Sequence, residues 1–187
     1  SLNHYLNEDL YLTGLTFIWS AAENPNVTGE TTSTSTTTSI TDTLTNTSGT
    51  VQTITYTIIP TSTDGCEGDS YTYVVTINPE PFVITSPTDT ICSDATLNHN
   101  LNDDVDLTGV TFSWSAADNP NVTGETTTTS TDTSITDTLT NTSGTVQTIT
   151  YIITPTSNGC EGDSYTYVVT INPEPMVVMP PTDTICS

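Results

Sequence analysis

The sequence predicts an all-β protein folded as a β-sandwich, and three observations support this fold class. Thr is the most abundant residue, and its β-branched side chain suits strands that have one face in solvent. Apolar and polar residues alternate over several short segments, as they do in half-buried strands. Turn signals rich in Gly, Pro and Asn separate these segments, so that each half of the chain carries about seven short strands.

The chain consists of nearly the same sequence twice. Trp19 recurs 95 residues further along as Trp114, and Cys92 recurs 94 residues further along as Cys186. A period of this length matches a complete domain rather than a solenoid repeat of about 20–50 residues. We therefore expect tandem copies of one sandwich domain, in an array that provides length or valency rather than catalysis.

A repeated string sets the expected domain boundaries. Pro-Thr-Asp-Thr-Ile-Cys-Ser occurs at 87–93 and again at 181–187. Residues 80–173 are predicted to be one complete repeat, with this string in its first strand. Residues 1–79 are predicted to be a repeat that lacks its first strand, and residues 174–187 a linker and the first strand of a following repeat. On this interpretation the sequence is a window on a much longer polypeptide.

The first predicted strands are clearest in the second copy. Residues 110–115 alternate apolar and polar, as a half-buried strand does. A turn at 119–124 leads into the Thr-rich tract 126–133, which is predicted to be a loop or an exposed edge strand. Residues 134–140 alternate again and are predicted to form one strand that ends at the turn Asn141-Thr142-Ser143-Gly144.

Two longer strands complete the predicted domain. Residues 146–153 have a core face made of Gln147, Ile149, Tyr151 and Ile153. Residues 165–171 give the strongest strand signal, with one face made of Tyr165, Tyr167, Val169 and Ile171. The Pro-rich segment 172–175 ends this strand and is predicted to be a stiff linker.

The charge of the chain excludes two classes of partner. Its 22 acidic residues are not balanced by any Lys or Arg, which gives a formal charge of −22. Nucleic acid is excluded because phosphate contacts require Lys or Arg, and electrostatic binding to an anionic membrane is excluded for the same reason. Membrane insertion is not expected either, since no apolar run approaches the roughly 18 residues that a spanning helix needs.

Four cysteines, two per period, are predicted to form disulfides in an oxidising, extracellular setting. From the repeat register we expect Cys92, on the first strand of the complete domain, to bond Cys160, in the loop before its last strand. Cys66 and Cys186 would then have partners outside this sequence. A bond between Cys66 and Cys92 is the competing pairing, and a metal cluster is the alternative to any disulfide.

Longer strings carry a family resemblance. Gly-Cys-Glu-Gly-Asp-Ser-Tyr-Thr-Tyr-Val-Val-Thr-Ile-Asn-Pro-Glu-Pro occurs at 65–81 and 159–175, and Thr-Asp-Thr-Ile-Cys-Ser at 88–93 and 182–187. Together they resemble the PKD-like repeats of very large surface adhesins in gliding bacteria, over essentially the whole chain. The resemblance implies immunoglobulin-like sandwiches in tandem, export by the type IX secretion system, and roles in surface adhesion or gliding. It brings no binding-site residues, and Asp94 stands where these repeats usually have Gly.

Asp-Thr followed by an aliphatic residue occurs four times, twice in each copy. The triplet resembles the O-glycosylation signal that the same bacterial group uses for exported proteins. Its threonines are therefore candidate O-glycosylation sites: Thr43, Thr90, Thr138 and Thr184.

Acidic loops are the candidate metal sites, because Ca²⁺ prefers carboxylate and carbonyl oxygens. The best cluster is Asp103, Asp104 and Asp106, although its spacing matches no known calcium loop and a solvated acidic turn is the alternative. No other cofactor is expected. Each copy has one His, with no nucleophile and orienting acid identified beside it, so the chain is not predicted to be an enzyme.

Together these features predict a non-enzymatic stalk or filament segment of a very large bacterial cell-surface adhesin. Its expected partners are neighbouring repeats of the same long chain, and surface polysaccharide or other surface proteins. The alternative is a carbohydrate- or Ca²⁺-dependent ligand-binding module of a secreted protein. An exposed aromatic row would favour the alternative, whereas burial of Trp19 and Trp114 would favour the stalk.

Overall fold

The computed structural model describes residues 1–175, which fold into two compact units. Unit 1 is Ser1–Glu80, and the described part of unit 2 is residues 81–175. The described residues contain seventeen strands, numbered β1 to β17 along the chain, two single-turn 3-10 helices and no α-helix. The prediction of an all-β sandwich made of two repeats is confirmed.

Unit 1 has a 3-10 helix, Leu6–Glu8, and seven short strands. The strands are β1 (His4–Tyr5), β2 (Thr16–Ala21), β3 (Val27–Thr28), β4 (Ser39–Ile40), β5 (Thr45–Asn46), β6 (Gln52–Thr61) and β7 (Tyr71–Ile77). An antiparallel sheet has the order β2-β6-β7, while β3 pairs with β5 and β1 with β4.

Unit 2 repeats this pattern and extends it. Its 3-10 helix is Leu101–Asp103. Its strands are β8 (Thr88–Cys92), β9 (Ala95–Thr96), β10 (His99–Asn100), β11 (Thr111–Ala116), β12 (Val122–Thr123), β13 (Ser134–Ile135), β14 (Thr138–Asn141), β15 (Gln147–Ser157), β16 (Cys160–Glu161) and β17 (Tyr165–Asn172). The large sheet has the order β11-β15-β17-β8, with β16 beside β15, and it is faced by the smaller sheet β12-β14-β9 and the pair β10-β13.

The core of unit 2 lies between these layers, on the faces that the alternation predicts. Ile149, Tyr151 and Ile153 of β15 are fully buried, and the predicted core residues of β17 are at most 8% exposed. Trp114 of β11 is 4% exposed and packs edge-on against Tyr151, with ring centroids 5.8 Å apart. Its indole Nε1 donates a hydrogen bond to the Asp132 carbonyl at 2.8 Å, so the polar atom of this large side chain is satisfied.

The segment 134–140 differs from its prediction, because it forms two strands rather than one. β13 ends at Ile135 and β14 begins at Thr138, since the Asp137 carboxylate accepts hydrogen bonds from the neighbouring loop. The segment after β12 passes close to the start of β14, and this close approach requires a glycine. Gly124 has a φ of +96°, and a Cβ atom there would lie 2.0 Å from the Thr138 carbonyl oxygen.

The chain enters and leaves unit 2 at opposite ends of the large sheet. The chain enters at the first end, where Pro81 lies beside Gly162. A Cβ atom added at Gly162 would be only 2.3 Å from the Pro81 carbonyl oxygen. From this end β8 runs parallel to β17, and the last register pair is Cys92 with Asn172. β15 has 11 residues, which corresponds to a strand about 35 Å long. The path through the unit therefore advances the chain along its long axis.

Candidate functional site

A buried carboxylate joins three segments near the first end of unit 2. The Asp104 side chain is 3% exposed. Its Oδ2 accepts hydrogen bonds from His99 Nε2 at 2.9 Å and from the Tyr165 hydroxyl at 2.8 Å, and its Oδ1 accepts one from Thr85 Oγ1 at 3.2 Å. Because a buried carboxylate without donors is costly, these bonds fix the loop that follows the 3-10 helix to β17.

Aromatic rings complete this cluster. The His99 ring stacks on Tyr167 with centroids 4.3 Å apart, and Tyr167 stacks on Tyr151 at 5.7 Å. Burial raises the pKa of Tyr165, and its hydrogen bond to Asp104 raises that pKa further. Burial and the negative charge of Asp89 raise the pKa of Tyr167 to about 12. The tyrosines of this core are therefore neutral under ordinary conditions.

Unit 1 contains the same arrangement in a more open form. His4 Nε2 lies 2.9 Å from Asp9 Oδ2, and the Tyr71 hydroxyl donates to the same oxygen at 3.0 Å. The His4 ring stacks on Tyr73 at 4.1 Å. The Asp9 side chain is 26% exposed, so water can reach this carboxylate, unlike its counterpart in unit 2.

A second carboxylate connects the two layers of the sandwich. Asp137 Oδ2 accepts hydrogen bonds from the Thr126 backbone N–H and from the Tyr151 hydroxyl, both at 2.7 Å. Asp137 Oδ1 accepts one from Thr126 Oγ1 at 2.7 Å. Asp42 makes the same three contacts in unit 1, with Thr31 and Tyr56. The aspartate of the Asp-Thr-Leu triplet therefore has a structural role in both copies.

The three candidate Ca²⁺ ligands do not converge. Asp104 faces the interior, Asp103 is exposed and accepts a bond from Asn100 Nδ2 at 3.3 Å, and Asp106 Oδ1 accepts from the Phe82 N–H at 2.8 Å. Among the described residues, no group of three or more His, Cys, Asp or Glu side chains is placed to hold a metal ion.

The predicted bond between Cys92 and Cys160 does not fit this fold. Cys92 faces Asn172 at one end of the large sheet, and Cys160 faces Ser157 near the other end. The length of β15 separates these ends by about 30 Å, whereas a disulfide needs Cα atoms within about 7 Å. Cys66, Cys92 and Cys160 are free thiols in the structure. Cys186 lies outside the described residues.

The described candidate glycosylation sites are accessible. Thr43, Thr90 and Thr138 are all exposed. Thr138 Oγ1 lies 2.7 Å from Thr96 Oγ1, and Thr90 lies on β8, an edge strand of the large sheet. Thr184 lies outside the described residues.

The His–Asp–Tyr cluster is the feature that sequence reasoning missed. A signal for it exists, because a histidine is followed five residues later by an aspartate at His4 and Asp9 and again at His99 and Asp104. The tyrosine that completes each cluster is about 60 residues away in the chain, and only the fold brings it there.

The two sandwich units share the same aspartate–tyrosine hydrogen bonds. Together they define a protein of tandem immunoglobulin-like β-repeats. A comparison with protein families matches residues 1–81 and 89–175 to the PKD-like domain. The chain therefore belongs to the PKD-like domain family, in two copies. Domains of this kind are typical of extracellular, adhesion-type proteins and are typically non-catalytic. No curated protein matches the chain.

Solved structures similar to this chain include two multidomain proteins. The titin I-band fragment I67-I69 has a TM-score of 0.34 and 11% identity, and the match covers 87% of this chain and 56% of that one. The extracellular cadherin domains 3-6 of protocadherin gamma B2 have a TM-score of 0.29 and 7% identity, with 84% and 41% covered. This chain thus spans about half the length of these structures. Within the described residues, no helix is long and apolar enough to cross a membrane.

Proposed function

We propose that the chain is a non-enzymatic stalk segment of a very large bacterial cell-surface adhesin, exported by type IX secretion and used for adhesion or gliding. The observation that carries this proposal is the path through unit 2, where the chain enters at one end of the large sheet and leaves at the other. A repeat of this kind adds about 35 Å of reach. Its natural partners are the neighbouring repeats of the same chain.

The two tryptophans, which could have contributed to a binding face, are instead used for packing. Trp19 and Trp114 are each 4% exposed, and each ring packs against a buried tyrosine. Among the described side chains, no buried polar nitrogen or oxygen lacks a hydrogen-bond partner. These observations favour a stalk over a carbohydrate- or Ca²⁺-dependent binding module. The charge of −22 adds self-repulsion, which keeps an array extended and soluble.

The experiment that tests this function lengthens the chain. One, two and four further copies of residues 81–174 are inserted after Glu80, and the maximum dimension is measured by small-angle X-ray scattering. A stalk lengthens linearly, by about 35–40 Å per copy. A maximum dimension that grows only as the cube root of the mass, or a carbohydrate that binds on a glycan array, contradicts the stalk function.

The same proposal includes O-glycosylation of at least one threonine of the Asp-Thr-aliphatic triplets. Thr43, Thr90 and Thr138 have the exposure that a glycosyltransferase needs, and Thr184 shares their sequence. In protein isolated from its native host, at least one of the peptides that contain these threonines should be heavier than its bare sequence. Peptide masses that all equal their sequence masses would contradict this part of the proposal.

A further inference from the structure

We propose that the solvent-facing side of the large sheet is a self-association surface, through which a second copy of this chain packs with its own large sheet. In unit 2 this surface, called here the outer face, consists of the side chains of β8, β11, β15 and β17 that point away from the core.

Burial and register define the outer face. In β15 the odd-numbered positions from Ile149 to Ser157 are buried, so the even-numbered positions point outward. Ile152 of β15 lies opposite Ser115 of β11 on one side and opposite Thr166 of β17 on the other. The same alternation applies to all four strands. The outer face is therefore a continuous surface, made mostly of threonine, that crosses the whole sheet.

The outer face carries no carboxylate in any of these four strands, although the chain has 22 acidic residues. The one acidic residue among the strands is Asp89 of β8, and its register partner Val169 is buried, so Asp89 lies on the core side. Glu161 of β16, opposite Thr156, stands at one corner of the sheet. The outer face is thus a neutral area on a strongly acidic molecule.

Exposed aliphatic side chains distinguish the outer face from an ordinary solvated sheet. Strand propensity alone explains threonine and the scarcity of Asp and Glu, but threonine would serve equally well where Ile152 is 53% exposed and Val168 half-buried. Unit 1 has such residues on the same side of its own sheet, where Ile18 is 43% exposed and lies opposite Ile59. Unit 2 has serine and threonine at those two positions. Both copies therefore keep aliphatic groups on this side, at different positions, and both exclude charge from it.

The charge of the chain points to a second copy as the partner. Without Lys or Arg, two copies cannot place a cation against a carboxylate, and any contact between their acidic surfaces is repulsive. Two outer faces can meet without placing one carboxylate against another. A neutral polysaccharide would gain nothing from the lack of charge, because it is not repelled by carboxylates. The neutral surface is therefore better suited to a like-charged partner than to a neutral glycan.

The size of the outer face predicts a weak contact. β15 and β17 pair over seven register pairs, and four strands with the usual spacing and rise give a face of about 19 Å by 24 Å. The resulting area of about 450 Å² per partner is smaller than the roughly 800 Å² of a standard stable interface. We therefore expect a dissociation constant of about 0.1–1 mM.

Two outer faces can pack as a symmetric pair of sheets about 10 Å apart. Ile152 and Val168 would then lie among threonine methyl groups of the partner. Hydroxyls across the contact can pair as Thr154 Oγ1 and Ser164 Oγ do within this chain, at 2.7 Å. In a long array, which rests on the stalk function proposed above, many such weak contacts would act together and hold neighbouring stalks side by side.

NMR spectra of the full chain at increasing concentration test this inference. Amide spectra are recorded from about 0.05 mM to about 2 mM, with a reducing agent present, which spans the expected dissociation constant. We expect progressive shifts for residues of the large sheets and none for the smaller sheet β12-β14-β9. Spectra that do not change with concentration, or shifts centred on the smaller sheet, would overturn the proposal. The scattering experiment measures length and this one measures lateral contact, so the two proposals fail separately.

A pair of matched variants tests the surface itself. Ile18→Asp with Ile152→Asp places one carboxylate on this side of each unit and should weaken association by tenfold or more. The control, Tyr5→Asp with Ile84→Asp, adds the same charge at side chains that are 51% and 54% exposed and lie outside the large sheets. It should change association by less than about twofold. Association that persists in the first variant, or an equal loss in both, would contradict the assigned surface.

Two further measurements keep the test decisive. If the charged variant does not fold, Ile18→Thr with Ile152→Thr keeps the strand propensity and should still weaken association by about threefold, whereas no change would contradict a role for the exposed aliphatic groups. Raising the salt concentration screens the carboxylates on the other surfaces. Association of the unaltered chain should therefore strengthen with salt, and weaker association at high salt would contradict a neutral contact between acidic molecules.

Discussion

The hydroxyl of Tyr151 donates a hydrogen bond to the carboxylate of Asp137 across 2.7 Å. This contact joins the centre of β15 to the two-residue segment between β13 and β14, and so connects the two layers of unit 2. The pair Tyr56 and Asp42 repeats it in unit 1, also at 2.7 Å. The chain has no Lys or Arg, so its buried carboxylates depend on hydroxyl, amide and histidine donors of this kind.

Tyr151→Phe should destabilise unit 2 by about 1–2 kcal/mol, because the partly buried carboxylate of Asp137 loses one donor and keeps two. The free energy of unfolding can be measured for each unit by hydrogen exchange with mass spectrometry, which uses separate peptides for β15 and β6. Tyr56→Phe should have the same effect on unit 1. Tyr11→Phe, at a fully exposed side chain, is the control, and an equal loss in that variant would contradict the assigned role.

His99→Ala should destabilise its unit more than His4→Ala destabilises unit 1. Both histidines donate to a carboxylate and stack on a tyrosine, but Asp104 is 3% exposed and Asp9 is 26% exposed. Water can replace the lost donor at Asp9, whereas Asp104 is left underbonded at a cost of about 1–3 kcal/mol. The same exchange measurement compares the variants, and equal losses in the two units would show that burial of the carboxylate does not matter.

The sequence predicts the strands and their buried faces well, because both depend on local alternation. The core residues of β15 and β17 and the buried Trp114 follow from a period of two residues. The splitting of 134–140 could not be predicted in this way, since the hydrogen bonds of Asp137 come from a loop eleven residues away.

The direction and neighbour of a strand are not encoded in its alternation, and this explains the incorrect cysteine pairing. The prediction placed Cys92 and Cys160 in the same domain without knowing that β8 runs parallel to β17. That direction puts Cys92 beside Asn172, at the end of the sheet that lies far from Cys160. The candidate Ca²⁺ ligands do not come together for a similar reason. Asp103 and Asp104 are neighbours in sequence, but Asp103 is exposed and Asp104 is buried.

The thiols should react as free groups in the native protein. Cys66 and Cys92 are exposed and Cys160 is half-buried, so a disulfide reagent such as 5,5′-dithiobis(2-nitrobenzoate) should label the first two rapidly and Cys160 more slowly. Non-reducing peptide maps made with a Glu-directed protease should contain no linked Cys92–Cys160 peptide. Recovery of that peptide from natively folded protein would show that β8 is placed differently from the structure described here.

Stability should fall steeply above about pH 10, because the core of unit 2 buries neutral tyrosines. The pKa of Tyr167 is raised to about 12 by burial and by the charges of Asp89 and Asp104, while an unfolded tyrosine has a pKa of about 10. Between these values the unfolded chain has lost the proton that the folded chain keeps. The stabilising contribution is therefore complete below about pH 10 and is lost as the pH rises through the folded pKa, at about 1.4 kcal/mol per pH unit.

Tyr167→Phe isolates this contribution from those of Tyr151 and Tyr165, whose pKa values are also raised by burial and by a hydrogen bond to aspartate. Urea unfolding of both proteins at several values from pH 8 to pH 12 gives the slope of the unfolding free energy against pH. Above pH 10 the unfolding free energy of the variant should fall less steeply with pH than that of the unaltered protein, by about 1.4 kcal/mol per pH unit. Below pH 9 the two slopes should be the same. Parallel slopes above pH 10 would mean that Tyr167 ionises as readily in the folded core as in water.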